Sequence, residues 1–107
     1  MSTRAVLSDP TKHAALQELE EIPGVGQSIA LDLWDLGYHS IDSLKGQDPE
    51  NMYEALRIRQ GGSLDRCVLY VFRCAVYFAS HNNHNPDLLK WLNWSDKRMR
   101  FPTPFSN

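Results

Sequence analysis

The sequence lacks a long hydrophobic run and is poor in cysteine. No apolar stretch reaches the roughly 18 residues that a membrane-spanning helix needs, and the polar start of the chain leads into no apolar segment of the signal type. We therefore expect a cytoplasmic protein without a membrane segment. The two cysteines, Cys67 and Cys74, share one apolar segment. On an α-helix their Cα atoms would be about 10 Å apart, beyond disulfide reach, so both are predicted to be free thiols.

The chain also lacks an excess of positive charge. Its 11 Lys and Arg residues against 13 Asp and Glu residues give a net charge of −2, which provides no overall attraction for a polyanion. Any nucleic-acid binding must therefore come from a local basic surface. Acidic residues concentrate in the first third of the chain and most arginines come later, so we expect two differently charged sides.

Signals for β-strands are few. No Asn-Gly or Asp-Gly dipeptide separates alternating apolar runs, as a β-hairpin would require, whereas helix-capping and helix-ending residues recur. At 107 residues the chain has room for one domain with one core. We predict a compact all-α domain of five helices over residues 1–107, with its core at about 9–96 and a mobile tail at 97–107.

Proline and glycine set the ends of the first two predicted helices. Asp9-Pro10 predicts a helix start, because aspartate can cap a helix and proline is tolerated at the first helical position. Pro23-Gly24 should end this helix, since proline disfavours the helical region for the residue before it. The second helix is predicted at about 26–36, and a short helical turn at 40–44.

Three more helices are predicted in the second half of the chain. Asp48 precedes a proline and should cap a helix that ends near residue 59. Ser63 should cap the longest apolar segment, 64–79, and a final short helix should follow Asn85. One stripe of the fourth helix carries polar and aromatic residues and faces either solvent or a neighbouring element: Arg66, Tyr70, Arg73 and Tyr77.

The segment 19–30, Leu-Glu-Glu-Ile-Pro-Gly-Val-Gly-Gln-Ser-Ile-Ala, resembles the helix-hairpin-helix motif in order and spacing. Gly24 and Gly26 let the backbone turn tightly and approach a partner, and Val25 can fill the space between the two helices. Ala30 permits a close approach of the helices. The alternative is that the segment is only a tight turn between two helices of a bundle.

Such a hairpin presents the amides of Gly26, Gln27 and Ser28 at a helix N-terminus, where free donors and the helix dipole favour a phosphate oxygen. Contacts of this kind carry no sequence information. DNA-binding examples of the motif often have Lys or Arg at the positions that Gln27 and Ser28 occupy. We therefore expect weak, salt-sensitive binding.

A second, degenerate hairpin is suggested by the helix predicted at 49–59, a glycine-containing turn, and the helix predicted at 64–79. If the two units pack as a pseudo-twofold pair, arginines beside the second turn supply the missing cations. Alternatively these arginines are solvated or pair with Glu54 and Asp65. The predicted nucleic-acid site comprises Gly24, Val25, Gly26, Gln27, Ser28, Arg57, Arg59 and Arg66.

The block at 61–77, Gly-Gly-Ser-Leu-Asp-Arg-Cys-Val-Leu-Tyr-Val-Phe-Arg-Cys-Ala-Val-Tyr, extends the resemblance. Together with 22–26 and with Pro-Asp-Leu-Leu-Lys-Trp at 86–91, it closely resembles a small bacterial helix-hairpin-helix family first named from a clostridial pathogenicity locus. Members of that family are often labelled mitomycin resistance proteins. The resemblance covers about 14–96 and implies a DNA-binding type of fold and a bacterial source.

Cysteine and histidine suggest a thiol or metal-binding protein as a third hypothesis. Cys67, Cys74 and His81 recur every seven residues, but ligands two turns apart on one helix do not converge on one ion. Cys74, His81 and His84 would converge only if the helix broke near Ser80. A neighbouring arginine would lower the pKa of either thiol and make it reactive.

No nucleophile-base set, phosphate-binding glycine motif or paired acidic motif is present, so we expect a protein that is not an enzyme and needs no cofactor. Besides DNA, a protein partner that docks on the same hairpin is a second hypothesis, favoured by the acidic Asp32 and Asp35. Trp91 and Trp94 are expected in the core or, with the basic residues at 97–100, in a surface patch that contacts a partner or stacks on bases.

Overall fold

The structure is a computed structural model, and it describes residues 10–100, with side chains to residue 98. This part of the chain contains five α-helices, three 3₁₀ turns and no strand, which confirms the all-α class. The α-helices are α1 (Pro10–Leu19), α2 (Gln27–Asp35), α3 (Pro49–Arg59), α4 (Cys67–Ser80) and α5 (Asp96–Arg100). The 3₁₀ turns are Asp42–Leu44, Pro86–Leu89 and Trp91–Trp94.

The predicted boundaries of α2 and α3 are confirmed to within one residue. The carboxylate of Asp48 accepts a 2.9 Å hydrogen bond from the amide of Glu50, so it caps α3 as proposed. Gly37 follows α2 with a φ of +99°, a conformation that glycine adopts without steric cost. Residues close in sequence therefore determine where α2 ends and where α3 begins.

The start of the longest helix differs from the prediction. The helix α4 begins at Cys67, so the proposed Ser63 cap is wrong. The carboxylate of Asp65 accepts the amide of Cys67 at 3.0 Å, and the carbonyl of Leu64 accepts the Tyr53 hydroxyl at 2.6 Å. These two bonds hold the residues before α4 outside the helix.

The last predicted helix is also different. Asn85 accepts the amide of Asp87, as a cap should, but the segment then forms two 3₁₀ turns that Lys90 separates in an extended conformation. The helix α5 follows. The mobile tail predicted at 97–107 falls mostly outside the described residues, and within them 97–100 are helical.

The core is organised around α4, which packs against α3 and against the C-terminal 3₁₀ turns, while α1 packs against α2. The largest fully buried side chains come from α1, the turn after it, α2, the 3₁₀ turn Asp42–Leu44, α3 and α4. Arg73 is also buried, so the polar stripe of α4 covers a neighbouring element at that point. The buried cluster is Leu19, Ile22, Val25, Ala30, Leu33, Leu44, Met52, Tyr53, Leu56, Leu69, Val71, Phe72, Ala75 and Ala79.

Among residues 10–100, no helix has both the length and the apolar composition needed to cross a membrane.

Candidate nucleic-acid interface

The first turn, residues 20–26, joins α1 to α2. The amide of Val25 donates to the carbonyl of Ile22 at 3.0 Å, and Gly24 between them has a φ of +88°. Val25 is only 5% exposed and belongs to the core cluster, while Ala30 is fully buried one helical turn into α2. The turn is therefore tight and closed on its inner side.

The N-terminus of α2 is open on its outer side. Gly26 caps the helix in an extended conformation (φ −92°, ψ −170°), and no side chain caps it. The carbonyl of Gly26 accepts the amide of Ala30 at 2.9 Å. Within the described chain, the amides of Gly26, Gln27 and Ser28 form no hydrogen bond, and all three residues are exposed. They are donors available to an anion.

The C-terminal 3₁₀ turns pack behind the first turn. A Cβ added to Gly24 would lie 3.0 Å from Cδ1 of Trp91, so the absence of a side chain permits this contact. The Cys74 thiol lies 3.9 Å from the carbonyl oxygen of Pro23 and 3.5 Å from that of Leu88. Burial raises the pKa of Cys74 to about 11. Both Trp91 and Cys74 therefore hold the turn in place.

Lys90 was not singled out by sequence reasoning, yet it directly precedes the tryptophan that contacts Gly24. Its side chain is exposed and forms no ion pair among residues 10–98. Lys90 joins the two 3₁₀ turns of the segment that packs behind the first turn. Only the folding of 86–94 onto this turn brings it there, and no local sequence pattern signals that.

The second turn, residues 60–66, joins α3 to α4 and has a different chemistry. Gly61 and Gly62 have φ values of +89° and +96°. The guanidinium of Arg57 donates to the carbonyl of Gly62 at 2.8 Å and also pairs with Glu54, as the alternative interpretation predicted. This pair raises the pKa of Arg57 and lowers that of Glu54. Arg57 thus closes its own turn.

Arg66 is paired with Asp96 and not with Asp65. Its Nε and Nη2 donate to the two carboxylate oxygens of Asp96 at 2.6 and 3.1 Å, and its guanidinium lies 5.5 Å from the centre of the Tyr53 ring. The hydrogen bond to Arg66 is the main reason that the pKa of Asp96 falls to about 2. Arg59, in contrast, is exposed and has no partner in the described part of the chain.

The second turn contacts α2. The side-chain Nε2 of Gln60 donates to Oδ1 of Asp32 at 3.4 Å. Burial, with a smaller effect of Asp35, raises the pKa of Asp32. The predicted cations beside the second turn therefore adjoin an acidic part of α2, which weakens the positive potential there.

The cysteine and histidine candidates do not come together. Cys67 is exposed, and its hydrogen bond with Asp65 raises its pKa, opposite to the lowering expected from Arg66. His84 stacks on Phe78 and makes a 2.8 Å hydrogen bond with its carbonyl, while His81 packs on a tyrosine ring. Both thiols are free. Among the residues described, no three His, Cys, Asp or Glu side chains could share a metal ion.

One comparison with known proteins finds a relationship. A family model described as pathogenicity locus, Cdd1, matches residues 12–100, so the chain belongs to this family. Neither a curated protein nor a solved structure matches the chain. The match to the family therefore covers nearly all of the described chain, whereas the chemistry of the candidate site follows from its geometry alone.

Proposed function

For this member of the pathogenicity locus family, we propose weak, non-enzymatic binding of nucleic-acid backbone, without sequence specificity, in the cytoplasm. The binding element is a helix-hairpin-helix formed by α1, the first turn and α2. The observation that carries the proposal is the open N-terminus of α2, where Gln27 and Ser28 present uncapped amides beyond two glycines. A phosphate oxygen at this position would accept these donors and complement the helix dipole.

The distribution of charge supports weak binding. Arg57 and Arg66 are already paired with carboxylates, and Asp32 and Asp35 lie on α2 itself. Within the segment 86–94, which packs behind the first turn, Lys90 is the exposed cation. Each phosphate contact that releases a counterion contributes about 0.9 to the salt slope, so few available cations mean a low affinity and a shallow slope.

A proline at position 27 tests the amide donors without disturbing the fold. Position 27 is the first residue of α2, where a proline is tolerated, and Gly26 before it already has the extended conformation that a following proline requires. Gln27→Pro removes one donor, whereas Gln27→Ala keeps the amide and serves as the matched control. Fluorescence polarisation with a labelled DNA duplex and a single strand at low salt measures the difference.

We expect Gln27→Pro to lower the affinity about tenfold or more, because a hydrogen bond to a charged acceptor is lost, and Gln27→Ala to stay within about twofold. Thermal unfolding should be the same for both variants. Equal binding by the two variants, or no binding of wild type to either DNA at low salt, contradicts the proposal.

A protein-interaction module is the second candidate, and one observation favours it. Leu31 on α2 is 39% exposed, and the exposed Asp35 lies one helical turn further on the same face, so this face offers an apolar contact next to a carboxylate. A pull-down after nuclease treatment would favour this candidate if it recovers one protein partner in a fixed molar ratio. That partner should be lost with Leu31→Asp and kept with Gln27→Pro. Loss with both variants would assign the partner to the same open helix end.

A further inference from the structure

Four hydrogen-bond donors on one face of α4 converge on a single carboxylate. The donors to Asp96 are Nε and Nη2 of Arg66 at 2.6 and 3.1 Å, Nη2 of Arg73 at 3.0 Å, and the Tyr70 hydroxyl at 3.3 Å. The residues lie at positions i, i+4 and i+7 and therefore share a helix face. Two guanidinium groups and a hydroxyl around one anion form the type of cradle that binds phosphate oxygens.

Arg73 is the buried part of the cradle, whereas Arg66 and the present occupant, Asp96, are both partly exposed. Arg73 is only 8% exposed in its side chain and is also held by the carbonyl of Trp94 at 2.7 Å and by Glu50 at 2.5 Å. Asp96 is the first residue of α5, a helix of five residues, and its side chain is 33% exposed. Arg73 therefore keeps two partners without Asp96, and the side chain of Arg66, which is 51% exposed, is accessible to an anion from solvent.

The charges of the cradle cancel while Asp96 occupies it. Arg66 and Arg73 contribute two positive charges, and Glu50 and Asp96 contribute two negative charges. Removal of Asp96 leaves a net charge of about +1 on this face. While Asp96 is bound, its carboxylate therefore neutralises a positive charge that would otherwise attract an anion to this face.

We propose that Arg66, Tyr70 and Arg73 form an oxyanion site for a nucleic-acid phosphate, and that Asp96 occupies this site as an internal substitute for the phosphate. The occupant rests on the function proposed above, whereas the site rests on the geometry alone. A backbone phosphate that binds here displaces Asp96 and releases α5 from α4. Asp96 thereby lowers the affinity of the resting protein.

The test compares two variants of the full chain that remove one negative charge each. Asp96→Asn opens the cradle and keeps the side-chain shape, whereas Asp87→Asn changes an exposed carboxylate that forms no bond within the described residues. DNA binding is measured by fluorescence polarisation over a series of NaCl concentrations. Asp96→Asn should bind about threefold to tenfold more tightly, with a salt slope steeper by about 0.9, and Asp87→Asn should change binding less than twofold.

A second pair of variants assigns the gain to the cradle. In the Asp96→Asn background, Arg66→Gln should cancel the gain, whereas Lys45→Gln, which removes an equal charge from the exposed surface outside both turns, should keep most of it. Circular dichroism checks folding, and Asp96→Ser replaces Asp96→Asn if the latter is unfolded. The proposal is overturned if the Asp96 variant and Asp87→Asn bind alike.

The outcomes separate the site from the proposed function. Wild type that binds DNA while Asp96→Asn shows no gain would keep the function of the first turn and reject the cradle. A gain in Asp96→Asn with no measurable binding by wild type would keep the cradle and reject the first turn as a binding element. Binding by neither protein rejects both.

Discussion

The first and second turns both use glycines to connect two helices, but they divide the chemistry of phosphate binding between them. The first turn exposes free amides at the start of α2 and carries no cation of its own. The second turn is flanked by three arginines, of which Arg57 and Arg66 are paired with carboxylates and Arg59 is exposed. One turn has donors without charge, and the other has charge that is mostly neutralised.

The difference follows from what packs behind each turn. Trp91 presses on Gly24, and Val25 is buried, so the first turn has a fixed inner side and only its backbone faces outward. Nothing lies within 4 Å of a Cβ built at Gly61, so no neighbouring element packs on the glycines of the second turn, and the side chain of Arg57 holds Gly62 from within α3. A glycine turn binds an anion only if its amides stay free, and in the second turn the amides of Gly61 and Gly62 donate to the carbonyls of Ile58 and Arg57 at 3.2 and 2.8 Å.

The largest expected effect is on the packing of the first turn. Gly24→Ala places a side chain at positive φ and against Trp91, whereas Gly61→Ala has a nearly identical φ and open space. We expect losses in the free energy of unfolding of about 3 and about 1 kcal/mol, respectively, measured by urea denaturation. Equal losses would show that Trp91 does not constrain the first turn.

The next effect supplies the cation that the first turn lacks. Gln27→Lys adds a charge next to the free amides, whereas Gln17→Lys adds the same charge to the exposed surface of α1. Gln27→Lys should tighten DNA binding about fivefold at low salt and steepen the salt slope by about 0.9, and Gln17→Lys should change it less than twofold. If both lysines act equally, binding responds to net charge and not to this turn.

A smaller effect concerns the Arg66–Asp96 pair beside the second turn. Because the folded pKa of Asp96 is about 2, below its unfolded value of 3.8, the pair stabilises the protein above pH 4, and this stabilisation is lost as the pH falls from about 4 to about 2. After discounting for exposure we expect about 1 kcal/mol. The difference in unfolding free energy between wild type and Asp96→Asn should shrink over this range. A difference that stays constant with pH would contradict a lowered pKa for Asp96.

The smallest effect is expected where the second turn closes itself. Glu54→Gln removes the carboxylate partner of Arg57 but leaves the bond from Arg57 to the carbonyl of Gly62. DNA binding should change less than twofold, because Arg57 stays engaged with its own turn. A change of fivefold or more would mean that Glu54 alone withholds Arg57 from the nucleic acid.

Local signals in the sequence were sufficient for α2, for α3 and for the first turn, whereas α1 ends at Leu19, before the predicted Pro23-Gly24. Asp48-Pro49 and Gly37 set helix ends through bonds to residues close in sequence, and Val25 is buried between two glycines as its pattern predicts. The start of α4 was missed because a distant hydroxyl, that of Tyr53, holds the carbonyl of Leu64. Hydrogen bonds between residues far apart in the chain produce no periodic pattern in the sequence.

The candidate site was predicted less completely than the fold. The two glycines and the amides of the first turn lie where the sequence placed them. The state of the arginines was not predictable, since Asp96 is 30 residues from Arg66 and reaches it only when the C-terminal turns fold back on α4. The same fold-back places Lys90 behind the first turn. In this protein, tertiary contacts determine which charged side chains are paired, whereas adjacent residues determine the geometry of the turns.

Backbone amide chemical shifts, followed by NMR during titration with a short DNA duplex at low salt, compare the two turns most directly. The account predicts that the amides of Gly26, Gln27 and Ser28 shift in a saturable, salt-dependent manner, while those of Gly61 and Gly62 shift much less. Shifts confined to the second turn, or no shift at either turn, would contradict the claim that the open end of α2 binds phosphate.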